Sequence, residues 1–99
     1  MNALVSIITP SYNSAKFIAE TIQSVQNQTY PNWEMIIVDD GSSDETECVV
    51  LSIIQNDNRI QFHKLNQNSG PAVARNTGIE KASGDYMTFI DADDIWFST

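Results

Sequence analysis

The 99-residue sequence has few basic residues and a single cysteine. Five lysines and arginines stand against thirteen aspartates and glutamates, so the formal net charge is −8 at pH 7. This balance argues against a general nucleic-acid-binding protein, which needs a basic face to meet phosphates. Cys48 alone can form neither an intrachain disulfide nor a multi-cysteine metal site, and we expect it to be buried on a helix. An acidic chain can still bind a nucleotide through a bridging metal.

Long apolar runs and a leader-like N-terminus are also absent. No apolar run approaches the roughly 18 residues that span a bilayer. The opening MNALVSIITPSYN has no basic flank and no cleavage site, so it is interpreted as a buried strand and not as a signal peptide. A hydrophobic content of 41% is ordinary for a globular chain and indicates one folded domain. Because neither a membrane span nor a signal peptide is recognised, the sequence predicts a soluble, intracellular domain.

Apolar, β-branched runs alternate with helical patterns along the chain. The predicted strands are LVSIIT (4–9, ended by Pro10), WEMIIVD (33–39), IQFHKL (60–65) and YMTFI (86–90). An amphipathic helical pattern separates each strand from the next. This β-α-β-α-β-α-β order predicts a Rossmann-like three-layer α/β/α fold with a mainly parallel four-stranded sheet, and right-handed crossovers favour the strand order 3-2-1-4.

Local signals predict where the helices begin. Asn13 or Ser14 is expected to cap the first helix, and Ser42 with Glu45 has the spacing of a capping box for the second. Pro71 suits the first position of the third helix.

The third helix also carries small residues that would let it pack close to the sheet. Gly84 suits the stop at its C-terminal end. The predicted sheet-facing residues are Val73, Ala74, Gly78 and Ala82.

Carboxylates follow the second and the fourth predicted strands. They are Asp39 and Asp40, then Asp91, Asp93 and Asp94. Ligands of such sheets bind beyond the carboxyl ends of the strands where the strand order reverses, here between the first and fourth strands. In an extended D-x-D segment, Asp91 and Asp93 point the same way. Carboxylates without a nearby His or Cys suit Mg²⁺ or Mn²⁺ bridging to a diphosphate, although DDGSSD is also ordinary turn chemistry.

Besides these carboxylates, three further residues are candidates for a role, and Asp40 is given a specific one. Tyr12 follows the first strand, where its ring can flank a base. Asp40 can accept a hydrogen bond from a base N–H. Arg75 follows the Gly-Pro turn and either reaches the phosphates or stays in solvent. His63 lies mid-strand without an evident partner and is expected to be structural or exposed.

Three stretches together resemble the nucleotide-binding half of family 2 glycosyltransferases, which have the GT-A fold. They are VSIITPSYNS, QTYPNWEMIIVDDGSSDET and NSGPAVARNTGIEKASGDYMTFIDADD, and they cover essentially the whole chain. The resemblance implies inverting transfer of a hexose from a nucleotide-diphosphate donor to a hydroxyl of a glycan or lipid-linked acceptor. It further implies Mn²⁺ or Mg²⁺ as cofactor and a role in bacterial surface polysaccharide or cell-wall glycan synthesis. The implied parent enzyme is cytoplasmic, either free or peripheral at the inner face of the membrane.

The resemblance also assigns donor-binding residues. Pro10 and Tyr12 match the first-strand motif near the base. Asp40 matches the acid that recognises the nucleobase, with Asp39 beside it. Arg75 is counted with the same donor-binding set.

Asp91-Ala92-Asp93 matches the D-x-D motif of the family. Asp93 is the implied principal metal ligand, and Asp91 is implied to serve the metal or the ribose. Asp94 matches a frequent additional acid to which no role is assigned.

The family's acceptor-binding residues and general base lie after this motif. An inverting displacement needs such a base within reach of the attacking hydroxyl, and the catalytic base is therefore unknown here. We expect residues 1–99 to be a donor-binding part truncated after the D-x-D motif, which binds donor without transferring sugar. The uncovered fourth strand, with Ile95, Trp96 and Phe97, is expected to favour self-association.

Two alternatives stay open at this stage. A haloacid-dehalogenase-like Mg-dependent phosphatase also ends an apolar strand in D-x-D, but there the motif follows the first strand. A non-catalytic Mg- or nucleotide-binding module, such as a response-regulator-like receiver, places its acidic pair after the first strand, which here ends in TPSYN.

Overall fold

The computed structural model describes residues 3–95 as a sheet of four strands with three helices. The strands are β1 (Val5–Ser11), β2 (Trp33–Asp39), β3 (Ile60–Lys64) and β4 (Tyr86–Phe89). The helices are α1 (Ile18–Gln26), α2 (Thr46–Ile54) and α3 (Pro71–Lys81). Every strand pair is parallel and the order is β3-β2-β1-β4. The predicted fold class and strand order are confirmed.

The helices cover both faces of the sheet. Ile22 of α1 and Val50 of α2 pack with Ile37 on one face, and Ala74 of α3 packs with Ile36 on the other. Successive residues of a strand point to opposite faces. Because helices lie on both sides, both Ile36 and Ile37 are fully buried, which explains why the β2 sequence is apolar throughout.

Pro10 lies inside β1, one residue before its end, although the sequence predicts that it ends the strand. Ile8 accepts a hydrogen bond from the Ile90 amide at 3.1 Å on the β4 side, and Pro10, two residues later, faces that side too. β4 ends at Phe89, opposite Ile8. Within the described residues, no strand therefore lies beside Pro10 on that side, and its missing N–H removes no hydrogen bond between strands.

The predicted cap of α1 does not form. The helix begins at Ile18, one turn after Ser14, whose carbonyl accepts the amides of Phe17 and Ile18. Asn13, in the left-handed region at φ 48°, instead accepts the Ser43 amide at 2.9 Å through its side-chain oxygen. The prediction is wrong because the loop after β1 bonds to the loop after β2.

The predicted capping box of α2 does not form either. The Ser42 hydroxyl donates to Asp39 at 2.5 Å, and Glu45 makes no side-chain cap bond. Asp44 takes over the helix start, since its carboxylate accepts the Thr46 amide at 3.0 Å.

Cys48 is exposed, so the prediction of a buried cysteine is wrong. Thr46 and Val50 form the buried face of α2. Cys48 lies two residues from each of them, which places it on the outer side of the helix.

The close packing of α3 is confirmed at Ala74 and Gly78, both buried. A Cβ on Gly78 would stand 2.6 Å from Ile8 Cγ2. Val73, in contrast, is 44% exposed and does not belong to this face. Gly84 does not end α3, whose C-cap is Ala82. Gly84 is needed because a Cβ there would stand 2.7 Å from the Leu4 carbonyl oxygen.

β4 is an edge strand with large exposed side chains. Tyr86, Met87 and Phe89 are 60%, 49% and 45% exposed. Ile95 is 52% exposed, whereas Trp96 and Phe97 lie outside the described residues. Over residues 3–95, no helix is long and apolar enough to cross a membrane.

Candidate functional site

An open cleft of about 470 Å³ lies at the carboxyl ends of the strands. It occupies the point between β1 and β4 where the strand order reverses, the location predicted for a ligand. Residues from the ends of β1, β2 and β4 and from the start of α3 line it. They are Pro10, Ser11, Tyr12, Asn13, Ser14, Phe17, Asp40, Asn68, Gly70, Pro71, Ala74, Asp91, Ala92 and Asp93.

The segment after β4 forms an exposed acidic cluster at one end of the cleft. Carboxylate oxygens of Asp91, Asp93 and Asp94 lie within 4.8 Å of one another. Ala92 between them turns into the core, and the Asp94 amide donates to the Asp91 carbonyl at 3.0 Å to close a turn. Like charges at this separation repel, and an all-oxygen donor set fits a hard divalent cation that would offset the repulsion.

Asp40 lines the cleft but is only 5% exposed. Its carboxylate accepts the Ser69 amide at 2.6 Å and the Gly70 amide at 2.9 Å. These bonds hold the loop before α3 against the end of β2, so that the first turn of α3 borders the cleft. Contact between Asp40 and a nucleobase stays a prediction.

Asp39 is not brought to the cleft. It is fully buried, and its two carboxylate oxygens accept the Ser42 hydroxyl at 2.5 Å and the Ser42 amide at 2.8 Å. The physical reason is the alternation of side chains along β2, which turns Asp39 toward the α1 and α2 side and Asp40 toward the cleft.

Two aromatic side chains border the cleft. Tyr12, predicted from the sequence, is 50% exposed, and Phe17, just before α1, is 46% exposed. Pro10, near the end of β1, also lines the cleft. The Lys16 ammonium lies 5.8 Å from the centroid of the Phe17 ring. Exposed aromatic faces at a polar cleft are suited to flank a planar ligand.

Arg75 is not among the residues that line the cleft. It is exposed on α3, and its guanidinium carbon lies 6.0 Å from the centroid of the Phe89 ring. Reaching a ligand in the cleft would require this side chain to leave Phe89.

His63 lies on β3, away from the cleft, and its ring nitrogen is 2.9 Å from the Gln61 side-chain oxygen. Burial, followed by the positive charge of Lys81, lowers the pKa of His63. His63 is half-buried, and its contact with Gln61 is a partner that the sequence did not indicate.

Sequence reasoning missed Phe17 and the loop before α3. Asn68 and Gly70 of this loop line the cleft. The signal was present, because the loop follows β3 and every loop after a parallel strand emerges at the same edge of the sheet. Phe17 had no such signal, because its position depends on the delayed start of α1.

A family profile described as "Glycosyl transferase family 2" matches residues 6–98. The chain belongs to glycosyl transferase family 2. This membership agrees with the resemblance found in the sequence, and the α/β sheet with its D-x-D segment after β4 is the arrangement expected of the family's GT-A fold.

Relatives of known name are similar over almost the whole chain. The putative teichuronic acid biosynthesis glycosyltransferase TuaG of Bacillus subtilis (strain 168) is 50% identical over 93 residues, which is 94% of this chain and 37% of TuaG. The UDP-Glc:alpha-D-GlcNAc-diphosphoundecaprenol beta-1,3-glucosyltransferase WfgD of Escherichia coli is 47% identical over 95 residues, 96% of this chain and 37% of WfgD. The chain therefore spans little more than a third of either relative.

A solved structure shares the fold. The mannosyltransferase PcManGT from Pyrobaculum calidifontis, in complex with GDP-Man and Mn²⁺, superposes with a TM-score of 0.87 and 30% identity over 93% of this chain and 28% of that one. The comparisons leave the phosphatase alternative without support.

Proposed function

We propose that the chain is the donor-binding part of an inverting, metal-dependent glycosyltransferase of bacterial surface polysaccharide or cell-wall glycan synthesis. The observation that carries the proposal is the cluster of Asp91, Asp93 and Asp94 at the point where the strand order reverses, at the end of a cleft of about 470 Å³. TuaG and WfgD support the pathway, since their names place them in teichuronic acid and diphosphoundecaprenol-linked glycan synthesis.

Asp93, with Asp91, would hold Mn²⁺ or Mg²⁺ at the exposed end of the cleft. Such a cation would neutralise the negative charge that develops on the diphosphate leaving group. The Mn²⁺ in the complex of PcManGT, which has a similar fold, supports a divalent cation at this site. The identity of the ion is part of the proposal.

The nucleoside end of the donor would lie against Pro10 and Tyr12. Asp40 would hold the loop before α3 in place through the two loop amides that it accepts. It would also accept a hydrogen bond from a base N–H, through an oxygen lone pair that those amides leave free. Asp39 would act only through Ser42, by keeping the loop after β2 in place. Arg75 stays a proposed phosphate ligand that must first leave Phe89.

We further propose that residues 1–99 bind the donor without transferring its sugar. The two named relatives are longer than the matched region, since this chain spans 37% of each. The general base and the contacts to a glycan or lipid-linked acceptor would come from chain beyond the D-x-D segment. The parent enzyme would act in the cytoplasm or at the inner face of the membrane.

Nucleotide titration tests the proposal. UDP and GDP are titrated into the chain by calorimetry, with and without Mn²⁺, for the wild type, Asp93→Asn and Glu80→Gln. We expect one nucleotide to bind more tightly with Mn²⁺, and Asp93→Asn to weaken this binding by at least about tenfold, because a metal ligand is lost. Glu80 is exposed near the far end of α3, so Glu80→Gln controls for the loss of one negative charge.

Two results would contradict the proposal. Metal-independent nucleotide binding that Asp93→Asn leaves unchanged would remove the role of the acidic cluster. Sugar transfer by the 99-residue chain to a lipid-diphosphate acceptor, detected through the release of free nucleotide, would show that the base lies within these residues.

A further inference from the structure

Thr21 is a fully buried residue of α1 whose hydroxyl reaches the acidic segment after β4. The hydroxyl donates to the Ala92 carbonyl at 2.8 Å, across a sequence separation of 71 residues. The Phe17 carbonyl, one turn earlier in the chain, lies at 3.3 Å from the same hydroxyl. A threonine in a helix often bonds only to the carbonyl four residues earlier. Here the long-range contact is the shorter of the two, so the hydroxyl donates its hydrogen bond chiefly to the Ala92 carbonyl.

This bond fixes the middle of the D-x-D segment. The Ile90 amide donates to the Ile8 carbonyl at 3.1 Å, and after this bond the segment leaves the sheet. Thr21 then holds the Ala92 carbonyl inward, and the Ala92 side chain is also buried. With the carbonyl and side chain of Ala92 held inward, Asp91 and Asp93 on either side are directed outward.

We infer that Thr21 is a positioning residue for the acidic cluster. Its hydroxyl orients the peptide between Ala92 and Asp93, and this peptide sets the separation of the Asp91 and Asp93 carboxylates. Partners that orient the ligands of a metal contribute strongly to its affinity. This inference rests on the proposed metal-binding function of the cluster. Thr21 is buried and does not line the cleft, yet metal binding by the cluster would depend on it.

Thr9 provides a matched control. It is a buried threonine at the carboxyl end of β1, and within the described part of the chain its hydroxyl has no hydrogen-bond partner. Replacing either threonine by the isosteric valine removes one buried hydroxyl. Only the change at Thr21 removes a bond to the D-x-D segment.

The test uses Mn²⁺ alone as the probe, titrated into the 99-residue chain and followed by the electron paramagnetic resonance signal of the free ion. Thermal unfolding is measured in parallel. We expect Thr21→Val to weaken Mn²⁺ binding about tenfold, as for the loss of an orienting partner. Thr21→Ser keeps the hydroxyl and should bind Mn²⁺ as the wild type does, and Thr9→Val should leave the affinity unchanged.

Wild-type affinity in Thr21→Val would overturn the inference. So would a Thr21→Ser protein as weak as Thr21→Val, because the loss would then come from packing and not from the hydroxyl. If Thr21→Val does not fold, Thr21→Ala beside Thr9→Ala gives the same comparison. Absence of Mn²⁺ binding by the wild type, or binding that Asp93→Asn does not weaken, would instead contradict the proposed function.

Discussion

At the scale of single residues, Glu34 at the start of β2 connects parts of the chain that are distant in sequence. Its carboxylate accepts the Ser6 hydroxyl at 2.6 Å, the Ser83 amide at 2.7 Å and the Ser83 hydroxyl at 3.1 Å. Ser6 in turn accepts the Gly84 amide at 2.8 Å. Glu34 therefore fastens the connection between α3 and β4 to the amino end of the sheet.

This network predicts a pH-dependent stability. Burial raises the pKa of Glu34, but the bonds donated by Ser6 and Ser83, together with the nearby Gly84 amide, outweigh it, so the net pKa lies below the ordinary 4.5. A folded-state pKa below the unfolded one stabilises the fold at pH values above 4.5, and this contribution is lost as the pH falls through the folded-state pKa.

Glu34→Gln should therefore lower the melting temperature at neutral pH and flatten its decline toward acid. Thermal unfolding from pH 7 to pH values below 4.5 measures both effects. Glu20→Gln, an exposed change on α1, should follow the wild-type curve. A Glu34→Gln protein whose melting temperature falls with pH as steeply as that of the wild type would refute this account.

At the scale of elements, the contact of α3 with β1 sets one wall of the cleft. Gly78 lets the helix approach so closely that an added Cβ would stand 2.6 Å from Ile8 Cγ2. The same helix presents Pro71 and Ala74 to the cleft. Any shift of α3 away from the sheet would therefore also displace that wall.

Gly78→Ala is predicted to destabilise the chain by roughly 1–3 kcal/mol, because the packed interface must open to admit the methyl group. Urea unfolding measures the loss. Asn76→Ala, on the exposed side of α3, should be neutral or slightly stabilising, since alanine has the better helix propensity. The steric cause predicts that Ile8→Ala and Gly78→Ala together cost less than the sum of the two single changes. If the two losses of stability simply add, the steric explanation is wrong.

At the scale of the whole molecule, β4 leaves one edge of the sheet open. Its outer side bonds to no further strand within the described residues, and Tyr86, Met87 and Phe89 are largely exposed beside it. An open edge with apolar side chains is a template for pairing with another chain.

The 99-residue chain is accordingly predicted to self-associate as its concentration rises, and Met87→Lys should reduce this by placing a charge on the open strand. Sedimentation velocity over a concentration series measures it. Leu51→Lys is the control, because Leu51 is 44% exposed on α2, away from the edge. A chain that sediments as a monomer at every concentration would disprove the prediction.

Much of this architecture follows from local pattern. The apolar runs ending near Thr9, Asp39 and Ile90 already indicate parallel strands, and right-handed crossovers then favour the observed order. The place of Asp91 and Asp93 at the switch point follows from that order. These predictions succeed because hydrophobic periodicity reports the buried faces directly.

The sequence by itself determined the α/β class, the strand order and the outward pair Asp91 and Asp93. Only the tertiary structure decided that Asn13 serves the loop after β2 and that Thr21 reaches Ala92. The reason is physical: a short polar side chain has many partners of similar energy. Which one it takes depends on the loops and helices that folding brings beside it, and local propensity does not encode that choice.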